Sequence, residues 1–190
     1  MISIDEGCRS DLRFWSLLLN DWNGISFFYN DEIETSVSLA FFTDAAPSCG
    51  FGGVFNRDWF AEKWPAEMIS LPEDVKSTAL FEMYPIAVAC ILWGKSWNRK
   101  RITVFCDNEA AVNIINKGRS SVSAINRIMR RITWTCVMNN FILRAAFVPG
   151  LDNKMADALS RFKFQEFHVL CPEAMPSGLK CPTFSQTVLD

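Results

Sequence analysis

Four acidic residues carry the chemistry this chain could perform. Asp44 follows the apolar and aromatic run Leu39 to Phe42, where a buried strand would emerge from the core. Asp107 ends a second such run, Arg101 to Cys106. Glu82 falls in the first turns of a helical stretch from about Thr78 to Trp93, and Asp157 on another from about Asn153 to Phe162. If the two strands are neighbours, Asp44 and Asp107 leave the sheet side by side. Crowded carboxylates repel, and one protonates unless a cation removes the penalty. Hard oxygen ligands that leave room for water suit Mg²⁺ or Mn²⁺. Four carboxylates can carry two ions ~3.5–4 Å apart, which clamps the attacking and leaving oxygens in phosphodiester hydrolysis. Each acid also has an ordinary reading. Asp44 ends a hairpin strand, Asp107 with Asn108 starts a helix, Glu82 offsets a helix dipole, and Asp157 pairs with Arg161 four residues on. One topology accounts for all four together, which the separate readings do not.

That topology follows from the order of elements. The turn-rich patch Ala45 to Gly50 leads into a short strand near Phe51 to Phe55, whose Gly52 and Gly53 let another backbone come close. A third strand is expected at Trp59 to Trp64, then a loop from Pro65 to Ser77. The Thr78 to Trp93 helix should present Leu80, Tyr84, Ala87, Val88, Ile91 and Leu92 on one face, with a kink or restart near Pro85. After the Arg101 to Cys106 strand, Asn108 caps a helix that Gly118 ends. A longer helix spans about Val122 to Asn139, its stripe Ile125, Ile128, Met129, Ile132 and Cys136 inward and Arg127, Arg130 and Arg131 outward. A last strand, Phe141 to Val148, precedes the final helix. The order βββαβααβα predicts an α/β layered domain with a mixed five-stranded sheet flanked by helices. Residues 1–35 read as an N-terminal extension. Its helix, Asp11 to Trp22, carries Leu12, Trp15, Leu18, Leu19 and Trp22, and an acidic connector of Asp31, Glu32 and Glu34 follows. Residues 36–163 form the main domain, and 164–190 an irregular tail punctuated by Pro172, Pro176, Gly178 and Pro182.

Bulk properties narrow the function classes. At 49% hydrophobic and 13% aromatic, the 190 residues suit a folded core rather than disorder. No apolar run is long enough to span a bilayer, and the acidic N-terminus lacks a secretory signal core, so no membrane partner is expected. Seven scattered cysteines without a C-x-x-C pair point to reduced thiols and an intracellular site, cytoplasmic or nuclear. His168 is the only histidine, which leaves little material for a histidine zinc site or a Ser-His-Asp triad. Net charge is −2, yet residues 76–165 hold fourteen Lys and Arg against five acids, so a basic segment lies between acidic flanks. Such a segment suits a polyanion.

Here the motifs resemble a known family. FFTDAAPSCGFGG, ALFEMYPIAVA, ITVFCDNEAAV and VPGLDNKMADALSR resemble the four motif blocks of the ribonuclease H domain of retroelement reverse transcriptases. The pattern N-x-x-A-D-x-L-S-R, Asn153 through Arg161, is characteristic of long-terminal-repeat and related elements. E-M-Y-P-I together with C-D-N-E-A-A-V-N-I-I-N-K-G most resembles the DIRS-like retrotransposons, which carry a tyrosine recombinase. The likeness covers about residues 10–165, and no Y-x-D-D polymerase motif is present. It implies a ribonuclease H-like fold and a two-ion site (Mg²⁺, with Mn²⁺ as substitute) on Asp44, Glu82, Asp107 and Asp157. It further implies hydrolysis of the RNA strand of an RNA–DNA hybrid, leaving 5′-phosphate and 3′-hydroxyl ends. Nucleic-acid contacts are then expected at Asn108, Lys117, Arg119, Asn153 and Arg161, with a separate polymerase domain as a possible partner. Two departures stand out. The basic insertion of cellular relatives is missing, and Phe147 occupies the position where the family often has a histidine thought to assist proton transfer or product release. A catalytically idle, domesticated domain kept for nucleic-acid binding or assembly is the rival reading. An integrase on the same fold is a third, disfavoured because Glu82 lies between the two strand acids rather than last.

Overall fold

The computed structural model describes residues 5–22, 24 and 40–189. The acidic connector of Asp31, Glu32 and Glu34 lies outside them. Five strands form one mixed sheet in the order β3-β2-β1-β4-β5: β1 Ala40–Ala46, β2 Gly50–Phe55, β3 Asp58–Lys63, β4 Arg101–Cys106 and β5 Ile142–Phe147. Short turns join β1, β2 and β3, so these pair antiparallel. Helical crossovers precede β4 and β5, which therefore run parallel to β1 and to each other. The helices are α1 Glu6–Asp21, α2 Ala66–Ile69, α3 Thr78–Trp93, α4 Glu109–Lys117, α5 Ser123–Met138, α6 Lys154–Ser160, α7 Phe164–Leu170 and α8 Phe184–Thr187. The expected α/β class, mixed five-stranded sheet and element order through α6 are all present.

Helix α3 is the hub. Ser77 caps it by accepting a hydrogen bond from Leu80 N at 3.2 Å. It is buried nearly all round, from Glu82 through Cys90, rather than along the single apolar face expected. The cause is that the sheet, α4, α5 and α8 all pack against it. Pro85 sits inside one continuous helix, and no restart occurs at Tyr84. Trp93, Trp97, Phe41, Phe55 and Phe60 fill the space between α3 and the sheet in edge-to-face, stacked and tilted contacts. The segment between β3 and α3, expected as loop throughout, includes the one-turn α2, anchored by the buried Met68.

Three further expectations are corrected. Helix α1 buries Phe14 and Leu18 and leaves Leu12, Trp15 and Leu19 exposed. Among the described residues its main packing partner is helix α5, reached through Phe14 and Trp134, so only a narrow stripe is covered. Arg130 points inward, not outward: Asp11 of α1 accepts its guanidinium at 2.9 Å, which makes burial of that charge tolerable. Residues 164–189 are irregular between Cys171 and Thr183, as expected, but are packed on the domain and flanked by short helices. They contain α7 and α8 and run beside the edge strand β3, with Met175 N–H donating to Arg57 O and Leu179 N–H to Trp59 O. Covering an open strand edge satisfies its backbone groups. Phe167 and Cys171, four residues apart, anchor its first half, and Cys181, between Pro176 and Pro182, anchors the second, where no sequence period announces it. No helix among the described residues is long and apolar enough to cross a membrane.

Candidate functional site

Strands β1 and β4 are aligned with Phe42 opposite Phe105. Asp44 and Asp107 each follow two residues later, so both stand at the same end of adjacent strands. Side chains alternate along a strand, which puts each acid on the face of its preceding phenylalanine. The Phe42 and Phe105 rings stack there at 5.0 Å. Phe41 and Cys106 belong to the opposite face, toward α3.

Helix α6 lies across β1 and β2 and supplies the third acid. Gly52 makes this contact possible, since a Cβ there would come 2.5 Å from Leu159 Cβ. Ser160 Oγ donates a hydrogen bond to Asp44 Oδ2, and Arg161 Nε donates to Asp157 Oδ1 at 2.6 Å. Glu82 arrives from α3 on the other side of the sheet. Its carboxylate accepts from the Cys106 thiol at 3.7 Å and from the Ala45 backbone N–H. Oxygens of Glu82 and Asp107 and the Cys106 sulfur all lie within 4.8 Å of one another. Gly150 in the turn before α6 overhangs the cluster, since a Cβ on it would stand 3.2 Å from Asp107 Oδ2.

The electrostatics record the crowding. Burial pushes Asp44 up to about 6, with Asp107 and Asp157 adding to the rise and the Ser160 hydroxyl and Arg161 opposing it. Burial also pushes Glu82 up to about 9, helped by Asp44 and Asp107. Asp107 is raised by burial and by Asp157. Four carboxylates from two strands and two helices thus share one solvent-facing corner in which full ionisation is unfavourable. No protein-family model, curated protein or solved structure matches the chain.

The donor set fits a hard divalent cation. Asp44 and Glu82 are buried while Asp107 and Asp157 remain partly exposed, so some of the oxygens of the cluster reach solvent. One buried polar atom of the amide that ties α6 to β1, Asn153 Oδ1, has no hydrogen-bond partner among the described residues. Buried polar atoms of this kind are ordinarily satisfied by ordered water, as the hydration shell of such an ion provides. Burial raises the Cys106 thiol, which keeps it protonated and leaves oxygen as the donor for hard ions.

The residues expected to contact nucleic acid divide. Lys117 and Arg119 are exposed at the end of α4 and just beyond it. Asn108 is occupied as the α4 cap, accepting from Ala111 N at 2.9 Å. Asn153 is buried, 1% exposed, and donates to Thr43 O at 3.0 Å, so it ties α6 to β1 and offers no surface contact. Arg161 is exposed but engaged with Asp157. Sequence reasoning missed Ser160 as the partner of Asp44, although it lies inside the N-x-x-A-D-x-L-S-R pattern. It also passed over Cys106, for which spacing gives no signal. Gly52→Ala should separate α6 from β2 and cost about 1–3 kcal/mol. Urea unfolding measures it, and an unchanged midpoint would show that α6 is not seated by that contact.

Proposed function

We propose that this chain is a ribonuclease H-like nuclease that cleaves the RNA strand of RNA–DNA hybrids with two divalent ions, Mg²⁺ or Mn²⁺, in retroelement reverse transcription. The observation that carries the reading is the meeting of Asp44, Glu82, Asp107 and Asp157, the residues that match the family's quartet, at one end of β1 and β4. The mixed sheet and its element order support it. Bound ions would supply Lewis acidity and water acidified enough to attack a phosphodiester near neutral pH. The chain's own residues do the rest. Asp44 would ligate from within β1 and Asp107 from just past β4, both held rigid by the sheet, Glu82 from beneath and Asp157 from α6. Ser160 fixes the Asp44 carboxylate and Arg161 that of Asp157. Helix α4 leaves the site at Glu109 and extends for nine residues, about 13 Å. Lys117 and Arg119 would therefore meet phosphates a few nucleotides from the scissile one.

Cleavage of a labelled hybrid, beside double-stranded RNA, DNA and single strands, tests the reading. Hybrid alone should be cut, with Mg²⁺ and not with EDTA. Binding of hybrid without cleavage in either ion would favour the idle, nucleic-acid-binding domain instead.

Phe147 offers a finer prediction. It pairs with Cys106 across β4 and β5 and is 48% exposed, so it is not a core residue. Phenylalanine can neither donate nor accept a proton. Phe147→His should raise multiple-turnover rate without changing metal preference, and should alter stability by no more than about 0.5 kcal/mol. Steady-state rates equal to wild type would remove any role for this position in proton transfer or release.

A further inference from the structure

A thiol stands among the carboxylates, and the proposed hydrolysis has no use for it. Cys106 is fully buried at the end of β4. Its sulfur lies 3.7 Å from Glu82 Oε2, and sulfur, Glu82 oxygen and Asp107 oxygen are mutually within 4.8 Å. In a tetrahedral site with a metal–sulfur bond of ~2.3 Å and a metal–oxygen bond of ~2.0 Å, the sulfur–oxygen edge is about 3.5 Å. The Cys106–Glu82 separation already approximates that edge. Asp107 is partly exposed, so an ion can arrive from the open side of the corner. Magnesium has little affinity for sulfur, whereas softer ions prefer it.

We propose that Glu82, Cys106 and Asp107 form a site for a thiophilic divalent ion, Zn²⁺ or Cd²⁺, with water in the fourth position. On binding, the S–H bond breaks, the sulfur lone pair forms the bond to the metal, and the proton passes to solvent. Any proton held by Glu82 leaves the same way, and no oxidant or reductant is required. Because Glu82 and Asp107 are then taken, Zn²⁺ or Cd²⁺ inhibits the Mg²⁺-dependent reaction. The inhibition rests on the nuclease reading; the binding does not.

The test uses the full chain carrying Cys8→Ser and Cys49→Ser, which removes its exposed thiols. Cd²⁺ is titrated in and the ultraviolet sulfur-to-cadmium charge-transfer band is followed. One equivalent should generate the band. Cys106→Ser should abolish it, and Asp107→Asn should weaken binding on the order of tenfold or more, with circular dichroism verifying the fold. If Cys106→Ser does not fold, the Asp107→Asn arm decides alone, because that residue is partly exposed and its amide is isosteric. A missing band in the parent chain, a band that survives Cys106→Ser through Cys90 and Cys136, or unweakened binding by Asp107→Asn would overturn the proposal. Cleavage is not read in this titration. A chain that binds Cd²⁺ here but cuts no hybrid loses only the nuclease reading, and one that cuts hybrid without showing the band loses only this site.

Discussion

Asp44→Asn and Asp107→Asn should each lower hybrid cleavage by about 10³-fold or more while leaving the chain folded. Neither change removes volume, and asparagine still offers an oxygen to the Ser160 hydroxyl that Asp44 now receives. What each removes is a negative charge on which an ion would rest. The same loss relieves repulsion when no ion is bound. Asp44 is raised from 3.8 to about 6, so at neutral pH it is ionised in the fold at a cost that the unfolded chain does not carry. Asp44→Asn should therefore gain about 1–3 kcal/mol of stability in EDTA. Single-turnover cleavage and chemical denaturation on the same preparations measure both effects. Activity within tenfold of wild type, or a destabilised Asp44→Asn, would contradict the assignment.

Wild-type stability without divalent ions should fall as pH rises, opposite to a protein held by salt-bridged carboxylates. Asp44 and Glu82 have folded-state values of about 6 and about 9, above the ordinary 3.8 and 4.5. The fold thus favours their protonated forms. The stability they contribute is complete below about pH 4 and is lost as pH rises, first through the Asp44 value and then through that of Glu82. For Asp44 alone the loss is on the order of 3 kcal/mol. The groups responsible face the corner from every side: Asp107 from β4, Asp157, Ser160 and Arg161 on or next to α6, Cys106 beside Glu82. Mg²⁺ binds the ionised forms, so at one hundred times its dissociation constant it should restore about 2.7 kcal/mol and flatten the curve. Thermal unfolding between about pH 5 and 9, with EDTA or Mg²⁺, checks this. A flat EDTA curve would mean that the carboxylates are not coupled as the geometry requires.

The strands and central helices were legible because their signals are local. Phe41 and Phe42 before Asp44, and the β-branched Ile102 to Val104 before Asp107, mark the two strands, although β1 runs two residues past Asp44 to Ala46 instead of turning at Ala45, and the parallel pairing of β1 with β4 brings the acids together. What the sequence hid depends on who packs against whom. Helix α1 has apolar residues on several sides, and only the position of α5 decides that Phe14 and Leu18 are buried while Leu12 and Leu19 are not. Arg130 reads as a surface charge until Asp11, 119 residues away in sequence, is brought beside it. Asn153 reads as a polar helix start, yet its amide is spent on Thr43 O inside the molecule. After Cys171 the C-terminal segment is held by isolated anchors and by backbone bonds near β3, neither of which leaves a period.

The end groups of the cleaved RNA separate attack by an ion-activated water from attack by the ribose 2′-hydroxyl. Wild-type chain and Asp44→Asn are each incubated with an end-labelled RNA–DNA hybrid under single-turnover conditions, in Mg²⁺ and in EDTA. Wild type in Mg²⁺ alone should give 5′-phosphate and 3′-hydroxyl products, because an ion-activated water, not the ribose 2′-hydroxyl, attacks the phosphorus. Products ending in 2′,3′-cyclic phosphate, cleavage that persists in EDTA, or equal cleavage by Asp44→Asn would contradict it.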